Sequence, residues 1–347
     1  MDRRGFLRAG ALLGSIGLTG CLGVFETQSA WRDPPLVEDR PDAVYVPASS
    51  EEMGSYGTTE AGEYTVALTY TFPHRFWTIT GAETNMVDIG DEDSLHLMTS
   101  VWETESKTVV PADIRLSVEG EGERPYSGQL WPMLSQRMGF HYGDNLAIEE
   151  GEYTATLRIN PADARGVGDL AGRFEEPRTA EIDFEFVPDD VYDLDFTLVE
   201  ESRRGERGAL PLMEHADRPQ STVPPGEEFP GEIVGTGESG DAAFVVARLE
   251  AERFGGEYLA VSPWTPHNRV MLPLMSLSTR IERAGETVFE DALAGMLDPE
   301  LGFHYGTQVA IEEGDDLRIE VGSVPQIARH DGYETAFLEM PAIELSY

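Results

Sequence analysis

Residues 130–152 read LWPMLSQRMGFHYGDNLAIEEGE, and residues 293–315 read LAGMLDPELGFHYGTQVAIEEGD. Aligned without gaps, 13 of the 23 positions are identical, far above chance for two unrelated stretches. The central histidines, His141 and His304, lie 163 residues apart, close to one domain length. The chain therefore reads as two diverged copies of one unit. In each copy a methionine, Met133 or Met296, precedes Gly-Phe-His-Tyr-Gly. The flanking glycines predict a tight turn or bulge that aims the histidine. Further matches are read upstream, pairing Leu95-His96-Leu97-Met98 with Leu272-Pro273-Leu274-Met275, and Pro73-His74 with Pro266-His267.

Around these segments the apolar residues alternate. Tyr64, Val66, Leu68 and Tyr70 form one such run, and Ile114, Leu116 and Val118 another. Tyr153 to Ile159, Ile182 to Phe186, Val245 to Ala251 and Leu317 to Val321 follow the same rule. A period of two with turn residues between runs predicts antiparallel sheets folded as a sandwich or barrel, and no long periodic helix competes. The expected organisation is a signal segment at 1–21, a tether at 22–60 and a first β domain at 61–190. A linker at 191–240 then leads to a second β domain at 241–347.

The N-terminus opens with Arg3-Arg4-Gly5-Phe6-Leu7, the pattern of a twin-arginine export signal. An apolar stretch from Ala9 to Gly20 follows, shorter than the roughly 20 residues a bilayer span needs. It ends in Leu18-Thr19-Gly20-Cys21, which resembles the lipobox of bacterial and archaeal lipoproteins. Cys21 is thus expected to carry a lipid anchor, with the rest of the chain outside the membrane. It is the sole cysteine, so disulfides and thiolate metal sites are excluded from the folded domains.

Asp and Glu number 64 against 25 Lys and Arg, a formal charge of −39, and Lys107 is the single lysine. Such self-repulsion is tolerable in molar salt, where screening acts within about 3 Å. The composition matches the strategy of halophilic archaea. It excludes nucleic-acid binding, which needs a basic footprint. No Gly-x-Ser-x-Gly elbow, phosphate loop or His-Glu-x-x-His occurs, and the chain is read as no enzyme.

Trp131-Pro132-Met133, Gly139-Phe140-His141-Tyr142-Gly143 and Asn145 together resemble a segment of the periplasmic iron-transport-associated proteins, the P19 and Tp34 antigens and their relatives. The strand Ile182 to Phe186 and the run Ala247 to Glu252 are similar to other parts of that domain. The resemblance implies two immunoglobulin-like antiparallel β-sandwich domains in tandem. It implies copper binding, with zinc, manganese or iron as other candidates, in support of iron or copper uptake beside a membrane iron permease or another transporter component. It also implies pairing as a homodimer, and the duplication adds the expectation that the two copies pair within one chain.

The family ligand set is one Met and three His, and neither copy keeps all of it. Carried over, Met133 and His141 serve the first copy, and Met296, His304 and His330 the second, while Arg248 stands where an early family histidine would be. His96, on the same face of a predicted strand as Met98, and His74 are substitutes in the first copy, and His267 in the second. The candidate sets are Met133–His141–His96–His74 and Met296–His304–His267–His330, forming either two sites or one shared between the copies. The alternative is a metal-free immunoglobulin-like module that docks a membrane partner, with both turn histidines structural. His215, in the linker, is expected to be solvated.

Overall fold

The computed structural model describes residues 35–120, 126–214 and 218–347. The expectations for Met1 to Cys21 and for His215 fall outside the described residues. Among those described, no helix is long and apolar enough to cross a membrane.

The chain is all-β. Its first part contributes β1 (Ser49–Glu51), β2 (Gly54–Ala61), β3 (Tyr64–Thr71), β4 (Phe76–Thr80), β5 (Glu83–Val87), β6 (Leu95–Glu103) and β7 (Ile114–Gly120). It continues through β8 (Tyr126–Gln129), β9 (Trp131–Ser135), β10 (Gly139–Leu146), β11 (Gly151–Ile159), β12 (Arg165–Gly166), β13 (Arg178–Phe186) and β14 (Phe196–Leu198). The second part contributes β15 (Glu232–Ser239), β16 (Ala242–Ala251), β17 (Gly256–Trp264), β18 (Ser276–Arg283) and β19 (Glu286–Asp298). It ends with β20 (Gly302–Gln308), β21 (Asp316–Ser323), β22 (Ala328–Arg329) and β23 (Ile343–Ser346).

In the first copy, β2-β3-β6-β10-β9 form one sheet and β13-β11-β7-β8 the other. β11 and β13 alternate buried and open residues, as a sheet with one wet face must. β6 differs, since all nine of its residues are buried. Leu95, Leu97 and Val101 join the sandwich core, while His96 and Met98 point to the opposite face, under cover supplied by other parts of the chain.

The second copy repeats this order as β15-β16-β17-β20-β19-β18-β21-β23. Here β19 is one 13-residue strand that serves both sheets, where the first copy has the separate strands β8 and β9. The hairpin β4–β5 has no counterpart between β16 and β17.

Register fixes the equivalences better than the sequence does. β9 pairs with β10 as Met133↔His141, and β19 with β20 as Met296↔His304. β10 meets β6 as Tyr142↔Thr99, and β20 meets β17 as Tyr305↔Val261. β6 therefore corresponds to β17, not to Leu272–Met275 as the sequence match suggested. His74 precedes the inserted hairpin while His267 follows β17, so these two histidines are not equivalent either. Short Leu/Pro/His matches cannot survive an insertion that shifts the frame.

The copies exchange short strands. β22 of the second copy runs parallel to β9, with Ala328↔Met133 and Arg329↔Leu134. β12 of the first copy runs parallel to β19, with Arg165↔Met296 and Gly166↔Leu297. His330 N donates to Leu134 O, and Val167 N donates to Leu297 O, each at 3.0 Å. The two halves are thus joined by a pseudo-twofold swap, and one apolar core runs through both.

The connecting segments carry more structure than their composition predicts. Ala43 to Val46 are buried and β2 starts at Gly54, inside the expected tether. In the expected linker, β14 pairs with β1, and Val191, Leu210, Met213 and Val223 are buried. Pro- and Gly-rich sequence hides periodicity, yet single apolar side chains still leave water where a surface offers them a place.

Candidate metal centre

Four elements of the first copy and one of the second converge. β10 presents His141, with Gly143 and Asn145 on the same face. β9 sets Met133 directly opposite His141, and β6 sets His96 opposite Asn145. His74 enters from the loop after β3, and His330 from the end of β22. Met133, His141 and His96 are wholly inaccessible.

His74, His96 and His330 each bring a ring nitrogen to within 4.8 Å of the others. The ring centroids of His141 and His330 are 5.1 Å apart, and His330 Nε2 lies 3.4 Å from Met133 Sδ. Gly143 is required by this crowding: a Cβ there would stand 2.5 Å from His96 Nε2. That gives the glycine of the His-Tyr-Gly segment a steric reason.

The imidazoles are oriented from behind. Nδ1 of His141 contacts Gly139 O at 3.0 Å, and Nδ1 of His74 contacts Phe72 O at 3.0 Å. Nδ1 of His96 contacts Asn145 Oδ1 at 2.7 Å. Each acceptor calls for a proton on Nδ1, which leaves the lone pair on Nε2. The three Nε2 atoms of His74, His96 and His141 are buried and have no hydrogen-bond partner. Buried polar atoms are rarely left unpaired, and three such nitrogens in one cluster of rings amount to a ligand-shaped demand. Burial lowers the His141 pKa to about 3. It also holds His96 and His330 well below the ordinary imidazole range, with neighbouring histidines adding to the effect. Neutral rings need lose no proton to bind a cation.

This donor set, imidazole with one thioether, suits copper and accommodates zinc; manganese and iron(II) favour more oxygen. Oxygen ligands stand at the rim, where Glu51 Oε2 lies 3.4 Å from His74 Nδ1 and Asp331 adjoins His330. Burial, with Glu334 second, raises the Asp331 carboxyl to about 7.

Of the first expected set, the structure brings His74 and His96 together with His330, which was expected in the second set, and places His141 and Met133 beside His330. A family model described as a domain of unknown function, DUF7350, matches residues 227–346. No curated protein matches the chain. Among solved structures it is similar to a copper-bound variant of FetP from uropathogenic Escherichia coli strain F11, at 19% identity and a TM-score of 0.31. That match covers 39% of this chain and 98% of the other. A copper-bound variant of Campylobacter jejuni P19 is similar at 18% identity and a TM-score of 0.32, again over 39% and 98%. As-isolated FetP matches at 19% identity and a TM-score of 0.30, over 39% and 97%.

The second expected site does not assemble. Tyr258 on β17 occupies the place that His96 holds on β6, and its hydroxyl lies 3.0 Å from His304 Nε2. Val167 occupies the place of His330 beside Met296. His267 is exposed in a turn with φ 68°. Arg248 faces Glu257 at 2.9 Å and Glu232 at 3.6 Å. His304 is therefore a satisfied core histidine, its pKa lowered to about 4 by burial.

Proposed function

We propose that this chain is a metal-binding protein of the cell exterior, lipid-anchored through Cys21, that holds one copper ion per chain and assists iron or copper uptake. It acts by binding, without catalysis, beside a membrane transporter component such as an iron permease. The observation that carries the reading is the trio of buried, unpartnered Nε2 atoms of His74, His96 and His141, with Met133 and His330 completing the donors. Holding two copies in one chain lets the second copy supply His330 without a separate subunit. The export signal and the acidic composition support a site that works outside the cell in brine.

The test is metal content. The mature chain, prepared without lipid in molar salt, is loaded separately with Cu(I), Cu(II), Zn(II) and Mn(II), then desalted and assayed. One tightly held copper is expected per chain, lost in His96→Ala and His141→Ala and kept in His304→Ala. Retention no higher than in the His141→Ala variant would refute the reading and favour a docking module without metal.

A further inference from the structure

A cavity of about 90 Å³ lies over the histidine cluster, with His74 and His330 in its wall. Met53, Met98, Met138 and Met213 also line it. The whole sequence has 11 methionines, so these four and Met133 below them are nearly half. They come from separate places: Met98 from β6, Met138 from the β9–β10 turn, Met53 from the N-terminal arm and Met213 from the linker. Two of these segments lie outside the repeated unit. Methionine commonly fills gaps in a core, but these side chains border open space.

The second copy provides an internal control. Register places Ala260 where Met98 stands, since Met98 pairs with Gly143 and Ala260 with Gly306. Leu301 stands where Met138 does, three residues before the turn histidine in each copy. The copy that has lost its imidazole cluster has thus also lost these thioethers. One donor of the cluster also reaches this cavity: His74, 7% exposed and with its Nε2 unpartnered, stands in the wall between the two. Carboxylates of Glu51 and Asp331 share the wall with the guanidiniums of Arg75 and Arg137, of which Arg137 is tied to Glu52 and to Pro211 O, and Arg218 donates to Met53 Sδ at 3.5 Å, a contact that an ion on that sulfur would displace.

We infer that this cavity is a second, thioether-lined site for a soft monovalent cation of the Cu(I) type, through which the ion reaches the buried cluster. The inference rests on the metal-binding reading above for its destination, though not for its ligands. Thioethers favour soft ions over hard ones and do not compete with protons for them. Met133, His96 and His141 are inaccessible, so the cavity, with its methionines beside His74 and His330, is the side from which an ion would approach them.

The test uses Ag(I), a redox-inert stand-in for Cu(I), on the full mature chain in a chloride-free salt. Wild type is expected to take two Ag(I), one tight and one weaker, and the methyl signals of Met53, Met138 and Met213 are expected to shift with the weaker one. The volume-conserving triple variant Met53→Leu/Met138→Leu/Met213→Leu is expected to lose that weaker ion. Its cluster should load with Cu(I) at least tenfold more slowly, with Cu(II) occupancy unchanged. In His96→Ala/His141→Ala the tight ion is expected to go and the methyl shifts to stay, which separates failure of the cluster from failure of the cavity. Unshifted methionine methyls in wild type, or unchanged Ag(I) uptake and loading rate in the triple variant, would overturn the inference.

Discussion

Tyr258 hydroxyl and His304 Nε2 lie 3.0 Å apart, and that contact closes in the second copy the space that His96 leaves open in the first. Only two further differences separate the copies at the ligand positions: Val167 stands for His330, and His74 belongs to a loop that the second copy lacks. Met296 and His304 are still paired across their strands as Met133 and His141 are. The second site is thus half a site, plugged.

The plug should be removable. Tyr258→His with Val167→His restores two imidazoles beside Met296 and His304. Copper per chain should rise from one to two in the double variant, while either single change leaves it at one. Equilibrium dialysis against buffered copper reads the count. A double variant that folds and still holds one ion would show that the pseudo-twofold equivalence does not extend to ligand geometry.

Gly143 and Gly306 offer a paired test of the crowding. A Cβ on Gly143 strikes His96, and one on Gly306 strikes the Tyr258 hydroxyl. Both Gly→Ala changes overpack, at about 1–3 kcal/mol each. Only Gly143→Ala should also weaken copper binding, because only there is the displaced group a metal donor. Thermal melts of both variants, with and without copper, separate the two effects: copper should raise the melting temperature of Gly306→Ala and leave that of Gly143→Ala nearly unmoved.

The strand content and the placing of Met133, His141, His96 and Met98 on their strands were legible because both depend on local rules. Period two placed His96 and Met98 on one face of β6 and Leu95, Leu97 and Val101 on the other. The repeat placed Met133 beside His141. The role of His330 was not legible, because it depends on β22 crossing to the other copy, a long-range pairing with no local signature. His267 misled for a related reason: Pro-His at both 73 and 266 is a coincidence of turn composition, and only register reveals it. The cover over the cluster was hidden too, since Leu210 and Met213 lie in sequence that reads as linker.

Asn145 acts behind the donors. Its Oδ1 lies 2.7 Å from His96 Nδ1, and its Nδ2 donates to His74 O at 2.9 Å. Gln308, its counterpart on β20, has no imidazole to hold and bonds Phe254 O instead. Asn145→Ala should free the His96 ring and the backbone at His74, and weaken copper binding 10- to 100-fold, the usual scale for loss of an outer-shell partner. Asn145→Asp keeps an acceptor for His96 and should recover most of that loss. Competition titration with a chromophoric chelator measures both. Equal affinity in Asn145→Ala and wild type would mean that the His96 ring is held by packing alone.

His304 predicts an acid limit to stability that is independent of metal. Its pKa is about 4 in the fold, lowered chiefly by burial, against about 6.5 when unfolded. Above 6.5 the ring is neutral in both states and its contribution is intact. As pH falls from about 6.5 towards 4 the unfolded chain takes up a proton that the native chain refuses, so stability declines through that window and levels off below it. The full effect is roughly 3 kcal/mol, from about 1.4 kcal/mol per pH unit. In His304→Gln, whose amide oxygen can still accept from the Tyr258 hydroxyl, that part of the decline should vanish. Urea unfolding of metal-free protein at pH 7 and pH 4.5, in molar salt, checks it. The drop between the two pH values should be about 2 kcal/mol smaller in the variant, and an equal drop in both proteins would mean that His304 is protonated in the fold at a higher pH than its burial implies.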